Sequence, residues 1–354
     1  MKIKICIALL LGVMSLPAKV LAAEYTFRLA ETWSEGFPIF GDVSELLAKR
    51  VHEMSNGRLK IEIDSSSTHG KGLGIWDMVQ SGEYQMGHSA SYYYAKQDPN
   101  ALFFTTMPFG MLPIEQYSWF YYGGGMELME QVYAKHGLLS FPGGNTGSQM
   151  GGWFQTRIRS LDDLKGLKMR VPGFAGEVMA ELGVIPTNIP AGELLGAMQD
   201  NRIQAVEWVG PSLDLKLSLH LSAQFYYTGW HEPATELNFI VNKKAFDSLP
   251  ADLQEILRVA MRSSAYDMYI QATHESAENW SSLRINYSII RVKNFPKPVL
   301  EAMQAASHKL LLKKSAKDKL SAQILKSQED YLSQVRAWTE ISDFSYLESA
   351  NEIR

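Results

Sequence analysis

Several short stretches of the chain carry groups able to hold a carboxylate or a cation. Arg170 stands in "KMRVPG", between Met169 and Val171 and just before Pro172-Gly173, at what reads as the carboxyl end of a strand. A guanidinium there offers a planar fork that matches a carboxylate bidentately, and ligands of α/β sheets collect at that end of the strands. An arginine so placed can also pair with a structural acid or reach solvent. In "QAVEWVGP" (204–211), Glu207 and Trp208 interrupt an apolar run that Gly210-Pro211 ends. A buried carboxylate must find a partner or take up a proton. Two partners suit Glu207: Arg170 directly, as a plain ion pair, or a hard cation lying between Glu207 and an anionic ligand, because such ions take oxygen ligands.

Two further stretches could share that cleft. "GNTGSQMGGW" (144–153) supplies Asn145 and Gln149, amides that suit ligand oxygens and metals and that also serve loop backbone. "SASYYYAK" (89–96) places Tyr92, Tyr93 and Tyr94 at a strand exit. Three successive tyrosines cannot all face the core, so one lines a pocket with its hydroxyl or stacks at the sheet edge. Motifs for catalysis are missing. "HEP" after Trp230 has no second histidine at zincin spacing, and "HESAE" (274–278) ends in Glu278 where a zincin needs histidine. There is no G-x-S-x-G elbow, no P-loop and no dinucleotide fingerprint, and the glycines of "YYGGGMEL" (121–128) follow no strand. The chain reads as a binder, not an enzyme; an exported carboxylate enzyme is the alternative from another class.

The elements that must position these groups follow an export signal. "MKIKICIALLLGVMSLPAKVLA" has a basic start (Lys2, Lys4), an apolar stretch and a small-residue cleavage site, the pattern of a secretory signal peptide over 1–22. Cys6, the one cysteine, leaves with it, so no disulfide or thiolate ligand is expected afterwards. Three lysines and no acid lie in that segment, which leaves 31 basic against 38 acidic residues, a net charge of −7. That balance argues against nucleic acid and anionic membranes as partners. Strands are expected at 25–30, 59–64, 84–90, 136–144, 149–156, 167–173, 204–209, 236–246 and 287–292. Helices are expected at 38–54, 73–81, 174–182 and 191–200. The alternation predicts α/β layers with a mainly parallel sheet. Residues 250–283 contain no glycine and only a leading proline, which predicts one helix about 50 Å long, able to brace two lobes. The tail from Pro296 to about Ile341 reads as helical.

Taken in order, "SNGRLKIEI", "SLDDLKGLKMRVPG" and "GELLGAMQDNRIQAVE" resemble the solute-binding proteins of tripartite ATP-independent periplasmic (TRAP) transporters, of the DctP type. "GLGIWDMV", "MGHSASYYYAK", "GNTGSQMGGWF", "EWVGP" and "GWHEP" resemble its 2-oxo-acid-binding, TakP-like subgroup. The wider pattern commonly has asparagine after the acid of "VEW"; Trp208 stands there instead, which favours small 2-oxo or 2-hydroxy monocarboxylates over sialic acid or dicarboxylates. The resemblance implies a periplasmic binding protein-like fold: lobe I from 24–146 plus about 234–270, lobe II from 147–233 plus about 271–300, and a C-terminal helical tail, 301–354. It implies that Arg170 grips the ligand carboxylate, and that Gln149, Glu207 and the Trp208 carbonyl hold a co-bound sodium or calcium ion. It further implies that Asn145 and Tyr93 touch the ligand and that Glu232 faces the metal. The expected partners are a small carboxylate such as pyruvate, the membrane permease subunits and, through the C-terminal helices, a second copy; the expected location is the periplasm. Lactate with calcium, and a ligand sensor in place of a transporter component, are the alternatives.

Overall fold

The structure is a computed structural model describing residues 23–353, apart from 188, 190 and 317. The expected signal peptide with Cys6 lies outside the described residues. Each lobe is built on one sheet. The first, ordered β2-β1-β3-β10-β4, joins β1 (Tyr25–Glu31), β2 (Leu59–Asp64), β3 (Met86–Ser89), β4 (Leu138–Asn145) and β10 (Glu236–Asn242). The second, ordered β11-β9-β5-β8-β6-β7, joins β5 (Gly152–Phe154), β6 (Lys168–Arg170), β7 (Ile185–Thr187), β8 (Ala205–Val206), β9 (Phe225–Tyr227) and β11 (Arg291–Lys293).

Both sheets are mixed, not mainly parallel. β10 runs antiparallel to β3 and β4, and β5 runs antiparallel to β8 and β9, while the other pairings are parallel. The reason is connectivity. β5 and β10 enter their sheets directly from the cleft, through the short segments 146–151 and 228–235, so each begins where its neighbours end and runs against them; β11, reached through the long helix, enters from the far side and runs parallel to β9. All other strands then point their carboxyl ends at the cleft, where α/β sheets place ligands.

Several strands are shorter than the apolar runs suggest. The run at 236–246 stops at Asn242, whose side chain caps the helix Lys243–Asp247 by accepting the Ala245 N–H at 3.1 Å. The helix Phe40–Met54 ends at "SNGR", where Asn56 and Gly57 both take left-handed backbone with φ of 53° and 79°.

The long helix is real and spans Ala251–Asn286. Its buried residues Leu253, Leu257, Ala260, Met261, Met268 and Ala272 fall on one helical face, a stripe that packs on lobe I. Further along, Asn279 donates to the Pro211 carbonyl of lobe II at 2.9 Å, so one rigid rod touches both lobes. The tail forms the helices Lys297–Ser315 and Lys319–Thr339, the second capped by Asp318, whose carboxylate accepts the Ser321 N–H at 3.2 Å. The first lies on lobe II through Lys309–Glu181 (2.8 Å) and the second on lobe I through Arg336–Glu115 (2.8 Å).

Candidate functional site

Arg170 is the last residue of β6, and Glu207 immediately follows β8, its parallel neighbour. Both face one narrow cavity between the lobes, together with Gln149, Trp208, Glu232, Tyr92 and Tyr93. Burial is nearly complete: 4% exposure for Arg170, 1% for Glu207, 5% for Gln149 and 4% for Glu232. The cavity opens onto a wider mouth of about 400 Å³ between Phe37, Leu73, Ile189 and Trp208.

One edge of the Arg170 guanidinium is anchored. Its Nη1 donates to the Glu207 carbonyl at 2.5 Å and to Glu207 Oε2 at 3.2 Å, and the group lies 4.7 Å from the centre of the Trp208 ring. Of the two partners open to Glu207, the direct pair with Arg170 is therefore formed. It does not satisfy the site. Arg170 Nε, Trp208 Nε1, Glu207 Oε1 and Gln149 Oε1 are buried with no hydrogen-bond partner. Such groups cost free energy unless something else supplies the missing bond. Burial pushes Glu207 up to about 8, against the opposing pull of Arg170, and Glu232 up to about 7, with the neighbouring Glu207 adding to the shift. Two carboxylates sharing one arginine make a place that favours an added cation. His231 is also buried here; its Nε2 is 3.5 Å from Glu207 Oε1 with no hydrogen bond between them, and burial pushes the ring's pKa down.

The two chain crossings hold Gln149 and Glu232 side by side. Gln149 N–H donates to the Glu232 carbonyl at 2.9 Å, Thr146 N–H to the Thr235 carbonyl at 3.0 Å, and Ser148 Oγ to the Pro233 carbonyl at 2.8 Å. A Cβ on Gly229 would sit 2.0 Å from the Gln149 carbonyl oxygen, so glycine is needed for the two crossing segments to approach this closely. Glu232 Oε2 accepts the Thr235 hydroxyl at 2.6 Å. Asp214, 1% exposed, accepts from Val209 N–H (3.1 Å), Gly210 N–H (3.0 Å), Trp153 Nε1 (2.8 Å) and the Tyr226 hydroxyl (2.8 Å). In a trans peptide the N–H and C=O point oppositely, so holding Val209 N–H turns the Trp208 carbonyl oxygen away from Asp214.

Not every expected residue reaches the cavity. Asn145 stands behind it: Nδ2 donates to Gln116 Oε1 (2.8 Å) and Glu236 Oε2 (3.0 Å), and Oδ1 accepts Gly147 N–H (2.9 Å). Its capacity is spent on the turn that leads to Gln149. Of the three tyrosines, Tyr92 and Tyr93 line the cavity as an edge-to-face pair 4.6 Å apart, while Tyr94 is fully buried against Trp76. The sequence does not single out Thr146, Thr235, Asp214 or Trp33 as part of the cavity wall or its support. An acid inside the apolar stretch "GPSLDLKL" was a signal for Asp214; for the threonines there was none.

Trp33, another wall of the cavity, is fixed by a buried histidine. Its Nε1 donates to His88 Nδ1 at 3.0 Å, so the imidazole proton sits on Nε2 and donates to the Gly143 carbonyl at 2.9 Å. Burial lowers the His88 pKa from 6.5 to about 4. The unfolded chain takes up this proton below pH 6.5 and the folded protein only near pH 4, so stability is full above 6.5 and falls as the pH drops towards 4. The loss is on the order of 3 kcal/mol. Acid unfolding curves of wild type and His88→Gln are expected to differ in slope across that window, wild type being steeper; equal slopes would assign the loss to another group.

Two α/β lobes closing on a buried, charged cavity define a ligand-binding protein of the periplasmic binding protein type. Residues 29–318 match the sequence profile of DctP, bacterial extracellular solute-binding protein family 7, and the chain belongs to that family. It is 37% identical over 321 residues to a monocarboxylate 2-oxoacid-binding periplasmic protein of Nostoc sp., a match covering 90% of this chain and 87% of that one. Among solved structures it is similar to a TRAP periplasmic solute-binding protein from Colwellia psychrerythraea with bound calcium and pyruvate. That match is 60% identical, with a TM-score of 0.90, over 92% of this chain and 99% of the other. A TRAP periplasmic solute-binding protein from Pseudoalteromonas atlantica, with bound sodium and pyruvate, is 61% identical with a TM-score of 0.89 over the same shares.

Proposed function

We propose that this chain captures a small 2-oxo monocarboxylate, pyruvate or a close analogue, together with a sodium or calcium ion. It then presents the closed form to the membrane permease subunits of a TRAP transporter in the periplasm, after export on a cleaved signal peptide. The observation that carries the reading is how the unpartnered groups divide. Gln149 Oε1 and Glu207 Oε1 are acceptors with no donor, and Arg170 Nε and Trp208 Nε1 are donors with no acceptor. An anion alone would leave the acceptors orphaned, and a cation alone would leave the donors so. The pair satisfies both, and the relatives bound to pyruvate with calcium or sodium support it.

Gln149, Glu207 and the Trp208 carbonyl would hold the cation, with Glu232 facing it; a hard ion of this kind suits an all-oxygen set. When bound, it supplies positive charge to the ligand's carboxylate and 2-oxygen. Arg170 then receives the carboxylate on its free Nε edge, already oriented by the anchored Nη1. A buried site prefers neutrality. Arg170, Glu207 and a monocarboxylate balance with sodium when Glu232 is protonated and with calcium when it is ionised. The Tyr93 hydroxyl contacts the ligand, so Tyr93→Phe is expected to weaken pyruvate binding about fivefold, near 1 kcal/mol, in a calorimetric titration; an unchanged affinity would make Tyr93 a packing residue.

No catalytic step enters this reading: the ligand is bound and released unchanged. Exposed Trp338, Ile341, Phe344 and Leu347 near the chain's end support a second copy docking on the C-terminal helices. The test of the ligand class is a comparison of pyruvate with propionate, which lacks the 2-oxygen, at saturating calcium. Pyruvate is expected to bind at least about tenfold tighter, the scale of one lost charge-assisted contact; equal affinities would remove the 2-oxygen from the cation's shell.

A further inference from the structure

We propose that Thr146 is a positioning residue that sets which end of the Gln149 amide faces the cavity, and so makes this wall of the site a cation ligand. The proposal rests on the function proposed above. A side-chain amide is ambivalent: one end accepts and the other donates. Presented oxygen-first, Gln149 suits a cation; presented nitrogen-first, it repels one and suits a carboxylate. The choice is made by the hydrogen bonds behind it. Thr146 is 6% exposed, and its backbone N–H is tied to the Thr235 carbonyl at 3.0 Å. The single proton of its hydroxyl goes to the Gly147 carbonyl at 3.2 Å. What Oγ1 has left is acceptor capacity alone. Gln149 must therefore offer its NH₂, and Nε2 donates to Thr146 Oγ1 at 3.0 Å. The consequence is the unpartnered Oε1 at the cavity. A valine at 146 keeps the shape and removes the acceptor, leaving the amide free to rotate and present nitrogen beside the Arg170 fork.

The experiment measures calcium binding alone, and pyruvate binding with and without calcium, by calorimetry on wild type, Thr146→Val, Thr146→Ser and the double variant Thr146→Val with Gln149→Glu. Thr146→Val is expected to lose about tenfold in calcium affinity, the scale of one mis-set ligand, and to lose most of the calcium dependence of pyruvate binding. Its calcium-free unfolding midpoint should stay within about 2 °C of wild type, as for a neutral substitution. Thr146→Ser keeps the acceptor and should behave as wild type. In the double variant, the carboxylate introduced by Gln149→Glu has oxygen at both positions, needs no aiming, and should restore calcium binding; a merely structural role for Thr146 gives no such rescue. An unchanged calcium dependence in Thr146→Val overturns the proposal. So does a fall in pyruvate affinity that is equal with and without calcium, which would place Thr146 on the ligand itself. If wild type itself shows no cation dependence, the ternary-site reading fails and this proposal with it. Dependence in wild type that persists in Thr146→Val sinks only the proposal.

Discussion

Arg170→Ala is expected to weaken pyruvate binding by at least about a hundredfold, close to 3 kcal/mol, the range seen when one partner of a buried, hydrogen-bonded charge pair is truncated. Two losses add. The free Nε edge no longer meets the ligand carboxylate, and the Nη1 anchor to the Glu207 carbonyl, which orients that edge in advance, goes too. The fold should survive. Glu207 loses its cationic partner, but burial already pushes its carboxyl up to about 8, so without Arg170 it takes up a proton and no bare charge is left inside. Calorimetry and thermal unfolding on the same sample separate the two effects. Retained micromolar affinity in a folded variant would take Arg170 out of the ligand site.

Glu207→Gln is expected to have the next largest effect, and of a different kind. The glutamine keeps the shape of the carboxylate and an oxygen for the cation, but cannot supply the negative charge that the carboxylate beside Arg170 offers a bound cation. Affinity for pyruvate in calcium or sodium should fall to that of the cation-free protein, a drop on the order of fiftyfold, comparable to losing a buried charge-assisted contact. Binding measured without either cation should change little. The sign of the comparison is what matters: Arg170→Ala weakens binding in every buffer, whereas Glu207→Gln weakens it only where the cation is present. If the variant's affinity still tracks calcium or sodium as in wild type, Glu207 does not hold the ion.

What could be read from the chain, and what could not, follows from the reach of each signal. Arg170 and Glu207 were legible because each ends an apolar strand beside a turn pair, Pro172-Gly173 and Gly210-Pro211, and an ionised group at such a spot has few uses. The bracing helix was legible because 36 residues without an interior proline leave the backbone little alternative. Strand direction was not. β5 and β10 look like any other strands, and only their entry from the cleft side reverses them. Asn145 and Gln149 are alike in composition and stand four residues apart, yet one faces the Glu236–Gln116 network and the other the cavity. Nothing local distinguishes them; Asn145 is the last residue of β4 and pairs with Glu236, whereas Gln149 lies beyond the strand and is tied to Glu232 and Thr146. Thr146 was illegible for a related reason. A threonine in a glycine-rich loop says nothing of where its one proton goes, and that proton decides the sense of the neighbouring amide.

The most direct test of the ternary site is a tryptophan-fluorescence titration of ligand-stripped mature protein with pyruvate, run in sodium, in calcium and with neither. Trp208 and Trp33 line the cavity and serve as reporters, whereas Trp153 stacks on Tyr226 in the core behind it. Saturation at micromolar pyruvate in at least one cation, and a response at least about tenfold weaker without it, is the predicted result. Equal saturation in all three buffers would contradict the account, because Arg170 and its neighbours would then hold the carboxylate with no ion between Glu207 and the ligand.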